Sequence, residues 1–324
     1  MLDVSVIVAC YNGAATLGET LESLTAQVWD GSWEILLADN GSTDASAAIF
    51  ADHARRNPQK RMRRVDASTK RGKVAALNIG LAAAHGRAFL FCDSDDTVPA
   101  GWLAAMATAL QRYDFVATYI DATALNHGWV RTYRAWRTEP MLRRLTHSPH
   151  CLIAGGGEIG FTRRVLDAVG GFDPAFKVQE DHDLCIRAHL AGFELHPVPE
   201  TRYNYRFRED FPSIYRQAFS YARYRALLRK RYAPEPIFSP VPWLHLGQRL
   251  LRLGGSRAAA ALRQLRQADS RPPLERARFN AMLGQALGDA AGAIAFRVAP
   301  PRRRAGPQGG FATAGVAGWL SLLG

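Results

Sequence analysis

Apolar and polar positions alternate from the start of the chain. Val4, Val6 and Val8 are spaced two apart around Ser5 and Ile7, which predicts a strand ending at Ala9-Cys10, with Tyr11-Asn12-Gly13 as a turn. Thr16 and Glu19 have capping-box spacing and open a helix whose Leu17, Leu21, Leu24 and Val28 share one face. Glu34 to Ala38 reads as a second strand. Asp39-Asn40-Gly41-Ser42-Thr43-Asp44 follows as a loop, with Ser42 to Asp44 able to cap the next helix. A helix from Val74 to about Ala84, closed by Gly86, leads to the unbroken apolar run Ala88 to Cys92, the pattern of a strand buried on both faces. The repeated strand, loop and helix predict βαβ units and an α/β fold.

The same reading continues with a helix start at Pro99-Ala100-Gly101-Trp102 and a strand from Phe115 to Ile120. A helix follows from Arg163 to Val169, ended by Gly170-Gly171, then an apparent helix through Leu184, Ile186 and Leu190. A short strand over Phe193 to Val198 and a helix from Ser213 to about Tyr232 complete the pattern. Asn126 to His150, with Trp129, Tyr133 and Trp136, fits it poorly and reads as a surface insertion, either an acceptor groove or an aromatic-anchored loop. Gly155-Gly156-Gly157 permits close backbone approach or a simple bend. Pro234 to Pro242 reads as a linker into an Ala-, Leu- and Arg-rich stretch of helical spacing. The Gly-rich end after Pro300, tipped by Trp319-Leu320, is expected to be disordered. The expected organisation is a domain over 1–233, a basic helical extension over 234–299 and a tail over 300–324.

Composition changes this picture in one respect. Hydrophobic content of 48% and charged content of 22% are ordinary for a globular chain, but the formal net charge of +12 implies an anionic partner. Cys10, Cys92, Cys151 and Cys185 form no CxxC pair, so buried reduced thiols are expected rather than zinc. Met1-Leu2-Asp3 runs straight into the first strand, and no apolar run reaches the ~20 residues of a membrane span. A cytoplasmic chain is expected.

Against this basic background stand two acidic clusters. Asp93-Ser94-Asp95-Asp96 sits where a buried strand should end, which is where ligands bind in open α/β sheets. Oxygen-only ligands suit Mg²⁺ or Mn²⁺; a solvated acidic turn capping the next helix is the plain alternative. Gln179-Glu180-Asp181-His182-Asp183 heads a helix, where acids are also common as dipole partners. Together the clusters suit one carboxylate group for a metal and another as a general base. Arg71-Gly72-Lys73 before a helix suits a phosphate. No nucleic-acid recognition motif is present, and acidic strand ends argue against that partner.

Taken in order, these segments resemble family 2 glycosyltransferases of the GT-A fold, from about Val4 to Tyr232. Val4 to Asn12 is similar to the family's first strand and P-x-Y-N turn, with Ala9 replacing proline. Glu34 to Asp44 resembles V-D-[DN]-G-S-x-D. Arg71-Gly72-Lys73 with Ala76 and Asn78 resembles G-x-x-x-A-x-N. Asp93 to Asp96 resembles the DXD region, and Gly170-Gly171-Phe172-Asp173 with Glu180-Asp181 the G-G-F-D…E-D segment.

The resemblance implies a Rossmann-like mixed sheet flanked by helices. It also implies inverting, metal-dependent transfer of a single sugar, UDP- or dTDP-linked, to a hydroxyl in cell-envelope glycan, glycolipid or polysaccharide assembly. In that scheme Ala9, Tyr11, Asn12, Asp39, Lys73, Asp93 and Ser94 contact the donor, Asp39 reading the base. Asp93 and Asp95 hold Mg²⁺ or Mn²⁺, Asp181 is the base, and Glu180, Arg206 and Arg208 line the site. Arg208 stands near a position where many relatives carry a histidine that can complete the metal site. The expected partners are a nucleotide sugar and a glycan or lipid-linked acceptor; the basic extension reads either as docking on an anionic surface at the inner face of the plasma membrane or as a solvated helical appendage. The competing reading is a catalytically silent nucleotide-sugar-binding protein.

Overall fold

The computed structural model describes residues 1–134, 142–145, 148–233 and 273–296. The strands are β1 (Leu2–Cys10), β2 (Trp33–Asp39), β3 (Met62–Asp66), β4 (Gly86–Asp93), β5 (Phe115–Asp121), β6 (Arg143–Leu145), β7 (Ser148–Ile153), β8 (Ile159–Thr162) and β9 (His196–Asn204). The helices are α1 (Leu17–Thr25), α2 (Ser46–Arg56), α3 (Lys73–Ala83), α4 (Trp102–Leu110), α5 (Gly128–Arg134), α6 (Arg163–Val169), α7 (Glu180–Leu190), α8 (Phe211–Arg231) and α9 (Pro273–Ala295).

Seven strands make one sheet in the order β3-β2-β1-β4-β8-β5-β9, and β6 pairs with β7 apart from it. β8 is antiparallel to both its neighbours, while the other pairs in the large sheet run parallel. This is the expected mixed α/β sheet. Alternation on the central strands explains why it is covered on both faces. Ile7, Phe89, Phe91, Phe115 and Phe161 join one buried cluster with α3, α6 and α7. Val6, Val8, Leu90 and Cys92 join another with Leu17, Leu21, Leu24 and Trp102. Each fully buried aromatic or aliphatic side chain contributes about 1.5–3 kcal/mol. All four cysteines are free and buried.

Several local expectations are corrected by distant contacts. Val28 is exposed and lies beyond α1. The Thr16–Glu19 capping box does not form, because the Thr16 hydroxyl donates to the Ser94 carbonyl and Glu19 pairs with Arg206. Gly86 begins β4 instead of closing α3; a Cβ there would fall 2.5 Å from the Ser5 nitrogen. The strand expected over Phe193 to Val198 is β9, which runs on to Asn204 beside β5.

The stretch from Asn126 is no mere surface insertion. Asn126 is buried, donates to the Ala122 and Tyr205 carbonyls and accepts from the Phe207 N–H, and Leu142 and Leu145 are buried beyond it. Trp136 lies outside the described residues. So do the linker Pro234 to Pro242 and the tail from Pro300. Of the extension, α9 is described; it lays Gly284, Gly288 and Gly292 against α8. Its charges balance, Arg276 and Arg278 against Glu275 and Asp289. Among the described residues, no helix is long and apolar enough to cross a membrane.

Candidate active site

The register of the sheet creates the site. Ala9 lies opposite Ala38 on one side and Asp93 on the other, and Cys10 lies opposite Asp39. The loops after β1, β2 and β4 therefore leave one edge together. Asn12, at φ 51°, joins the first two: its N–H donates to Ser42 Oγ (3.0 Å) and its Oδ1 accepts from the Thr43 N–H (2.8 Å). Tyr11 is exposed beneath the Arg71 guanidinium, 5.5 Å from the ring centre. Ala9 and Ser94 lie at the same edge, Ser94 held through its carbonyl by Thr16.

Asp39 is buried, accepting from the Ser42 N–H (2.9 Å) and from Arg64 Nη1 (2.9 Å). Asn40 next to it donates to the Ala67 and Lys70 carbonyls and accepts from the Gly72 N–H (2.7 Å). It thus fixes the loop that delivers Lys73 at the start of α3. Asn78, the last residue of the segment resembling G-x-x-x-A-x-N, exchanges two hydrogen bonds with the Phe172 backbone (2.7 and 2.8 Å). It ties α3 to the segment before α7.

At the end of β4, carboxylate oxygens of Asp93, Asp95 and Asp96 lie within 4.8 Å of one another. Asp93 pairs with Lys73 Nζ (2.7 Å) and Asp95 with Arg208 Nη1 (3.1 Å). Asp96 is 1% exposed; one oxygen accepts from the Arg206 N–H (2.7 Å), and Oδ2 has no hydrogen-bond partner. Burial and the neighbouring carboxylate Asp93 raise Asp95 above the usual carboxylate range. Burial, Asp93 and Asp95 raise Asp96 further. Arg206 supports the turn from behind, donating from Nε to the Asp95 carbonyl (2.9 Å). An oxygen-only set with an unpartnered buried carboxylate oxygen fits a hard divalent cation.

Lys73 connects this cluster to the second. Its Nζ is 3.8 Å from Glu180 Oε1, and although burial opposes its charge, Asp93 and Glu180 raise its pKa well above an ordinary lysine's. Glu180 is buried, and burial with the adjacent Asp181 pushes it up to about 7 against the pull of Lys73. Asp181 accepts from the Gly156 N–H (3.0 Å), which uses the triple glycine as a close backbone approach. A Cβ on Gly157 would fall 2.3 Å from the Tyr203 hydroxyl, which accepts from the Asp93 N–H (2.8 Å). His182 faces Gln179 (2.9 Å). Asp183 points away from the site and is fully buried, held by Arg187 (2.8 Å), Arg231 (3.1 Å) and the Tyr232 hydroxyl (2.7 Å).

Asn40, Asp96, Tyr203 and Tyr221 are additions to the residues expected from the sequence. Asp96 carried a signal in the density of acids around it and Asn40 in its motif; Tyr203 and Tyr221 carried none. Tyr221 comes from α8, and burial with the nearby Asp181 and Glu180 carboxylates pushes its phenol up to about 12.

The family model described as Glycosyl transferase family 2 matches residues 5–170, and that described as Glycosyl transferase family group 2 matches 88–262. The succinoglycan biosynthesis protein ExoO of Rhizobium meliloti is 30% identical over 226 residues, 64% of this chain and 61% of that protein. A beta-monoglucosyldiacylglycerol synthase of Synechocystis is 28% identical over 193 residues, 58% of this chain and 40% of that protein. The chain thus aligns with less than two thirds of either relative's length. Among solved structures, the mannosyltransferase PcManGT of Pyrobaculum calidifontis, in complex with GDP-Man and Mn²⁺, superposes with a TM-score of 0.58 at 20% identity, covering 92% of this chain and 90% of that one.

Proposed function

The chain belongs to glycosyl transferase family 2, and from that premise we propose that it transfers one sugar from a nucleotide sugar to a hydroxyl acceptor in cell-envelope glycan or glycolipid synthesis, with inversion at the anomeric carbon. The observation that carries this reading is Lys73, 2.7 Å from Asp93 and 3.8 Å from Glu180. It draws the strand-end carboxylates and the start of α7 into one site. The named relatives support the acceptor class, and the GDP-Man and Mn²⁺ of the solved mannosyltransferase support a nucleotide-sugar donor with a divalent cation.

In this reading Asp39, held by Arg64 and the Ser42 N–H, accepts from the base N–H of a UDP or dTDP donor, with Tyr11 and Ala9 beside it. Asp93 and Asp95 would hold Mg²⁺ or Mn²⁺, which would supply Lewis acidity toward a departing diphosphate. Asp181, oriented by the Gly156 N–H, takes the proton of the acceptor hydroxyl as the sugar–phosphate bond breaks. A positioned base contributes ~10²–10⁴-fold. The hydroxyl attacks opposite the leaving diphosphate, so the product has the inverted configuration.

The test is a donor screen with Mn²⁺ or Mg²⁺ and UDP-, dTDP- and GDP-sugars, following nucleotide release. One donor is expected to turn over, and Asp95→Ala or a chelator to abolish that turnover. Once an acceptor is found, Asp181→Ala should lower kcat by ~10²–10⁴-fold with nucleotide binding unchanged. The absence of metal-dependent nucleotide binding would sink the reading, and a product of retained configuration would sink its mechanism.

A further inference from the structure

The cations around the strand-end carboxylates are built differently. Lys73 sits at the start of α3 between Asp93 and Glu180. Arg208 lies beyond β9, its side chain 49% exposed, and pairs with Asp95 Oδ2 at 3.1 Å. Asp93 and Asp95 are the two carboxylates assigned to the divalent cation, and each already has one cationic partner. Their charge is largely balanced, with Lys73 shared with Glu180 and Asp96 beside them.

That balance restricts what can enter. A divalent cation arriving alone adds two positive charges beside two fixed ones, where screening is weaker than in bulk water. A divalent cation arriving with a nucleoside diphosphate brings nearly balanced charge. It also offers phosphate oxygens, which match the planar fork of an arginine better than the point charge of a lysine. Lys73 is held by two carboxylates. Arg208, half-exposed and paired through one guanidinium nitrogen, is the cation free to change partners.

We propose that Arg208 is a tethered counterion for the donor diphosphate. It neutralises Asp95 in the free protein and transfers to the diphosphate when the cation binds Asp95, so that cation and nucleotide bind strongly only together. This rests on the donor-site reading above and adds to it a role for the residue at which the chain departs from its family's histidine.

The test uses Mn²⁺ alone, followed by the spin-resonance signal of the free ion, and UDP or GDP with and without Mn²⁺, followed by calorimetry. In wild type, Mn²⁺ alone should bind weakly, and the nucleotide should tighten it. Arg208→Ala should shift the two measurements in opposite directions. Mn²⁺ alone should bind tighter by on the order of tenfold, a competing charge being gone, while the nucleotide in the presence of Mn²⁺ should bind weaker by a similar factor. Arg208→Lys, which keeps the charge and loses the fork, should leave Mn²⁺ alone near wild type and still weaken the nucleotide.

If Arg208→Ala weakens Mn²⁺ alone, or leaves it unchanged, the counterion role is overturned, and Arg208 merely positions Asp95. If wild type binds neither UDP nor GDP in a Mn²⁺-dependent way, the donor-site reading itself falls, and this inference falls with it. Melting curves of both variants, expected close to wild type for a half-exposed side chain, keep unfolding out of the comparison.

Discussion

The two acidic clusters look alike in sequence and are built for opposite ends. In the turn after β4, three carboxylates crowd together, two of them neutralised by long, partly exposed cations, and one buried oxygen has no partner. At the start of α7 the acids part company. Asp183 turns inward to Arg187, Arg231 and Tyr232, while Glu180 reaches Lys73 beside the other cluster and Asp181 accepts from the Gly156 N–H. Carboxylate density therefore does not mark a site. What separates the two is whether the carboxylate is fully buried among several committed donors or part-exposed against a single displaceable cation.

Substitutions can break this contrast. The largest effect is expected at Asp183, because Asp183→Ala takes a fully buried carboxylate from Arg187 and from the Tyr232 hydroxyl and leaves Arg231 only Asp173. It should cost about 3–5 kcal/mol, read as a fall in Tm or denaturation midpoint. Glu180 comes next. Its pKa rises from 4.5 to about 7 on folding, so its stabilising contribution is full below about 4.5 and is lost as pH climbs through about 7. Glu180→Gln should therefore gain on wild type across that window by about 3 kcal/mol at most, as measured by denaturation at a series of pH values.

Tyr232→Phe removes one hydrogen bond to a buried carboxylate and should cost about 1–2 kcal/mol. Smallest of all should be the stability change in Asp95→Ala, within about 1 kcal/mol of wild type or even stabilising, because one crowded charge is relieved. A loss at Asp95 as large as that at Asp183 would erase the distinction.

Much of this architecture was legible in the chain. Central strands buried on both faces must be apolar along their length, so β1, β2 and β4 stood out. β2 and β4 end in Asp39 and Asp93, which the parallel register with β1 brings to one edge. The hidden parts depend on partners far away in sequence. Gly86 reads as a helix stop until the Ser5 backbone lies against it. β8 is masked by the glycines before it and by a pairing with β4 and β5 that no local pattern records. Asn40 and Asn78 sit inside motifs that point to ligand, yet their side chains are spent on the backbone of neighbouring loops. A short polar side chain in a motif does not reveal whether it faces substrate or scaffold.

The position of β8 also sets a timetable. It lies between β4 and β5 but follows both in the chain, and its end at Thr162 comes about 70 residues after β4 finishes at Asp93. At ribosomal rates of about 5–20 residues per second, β4 waits roughly 4–14 s with Phe89 and Leu90 on an open edge. The N-terminal part of the sheet is thus synthesised well before it can be closed. Nascent chains arrested before Ile159 emerges should be retained by a holdase chaperone, and chains arrested after β9 has emerged should be released. Equal retention of both would show that the open edge is sheltered some other way.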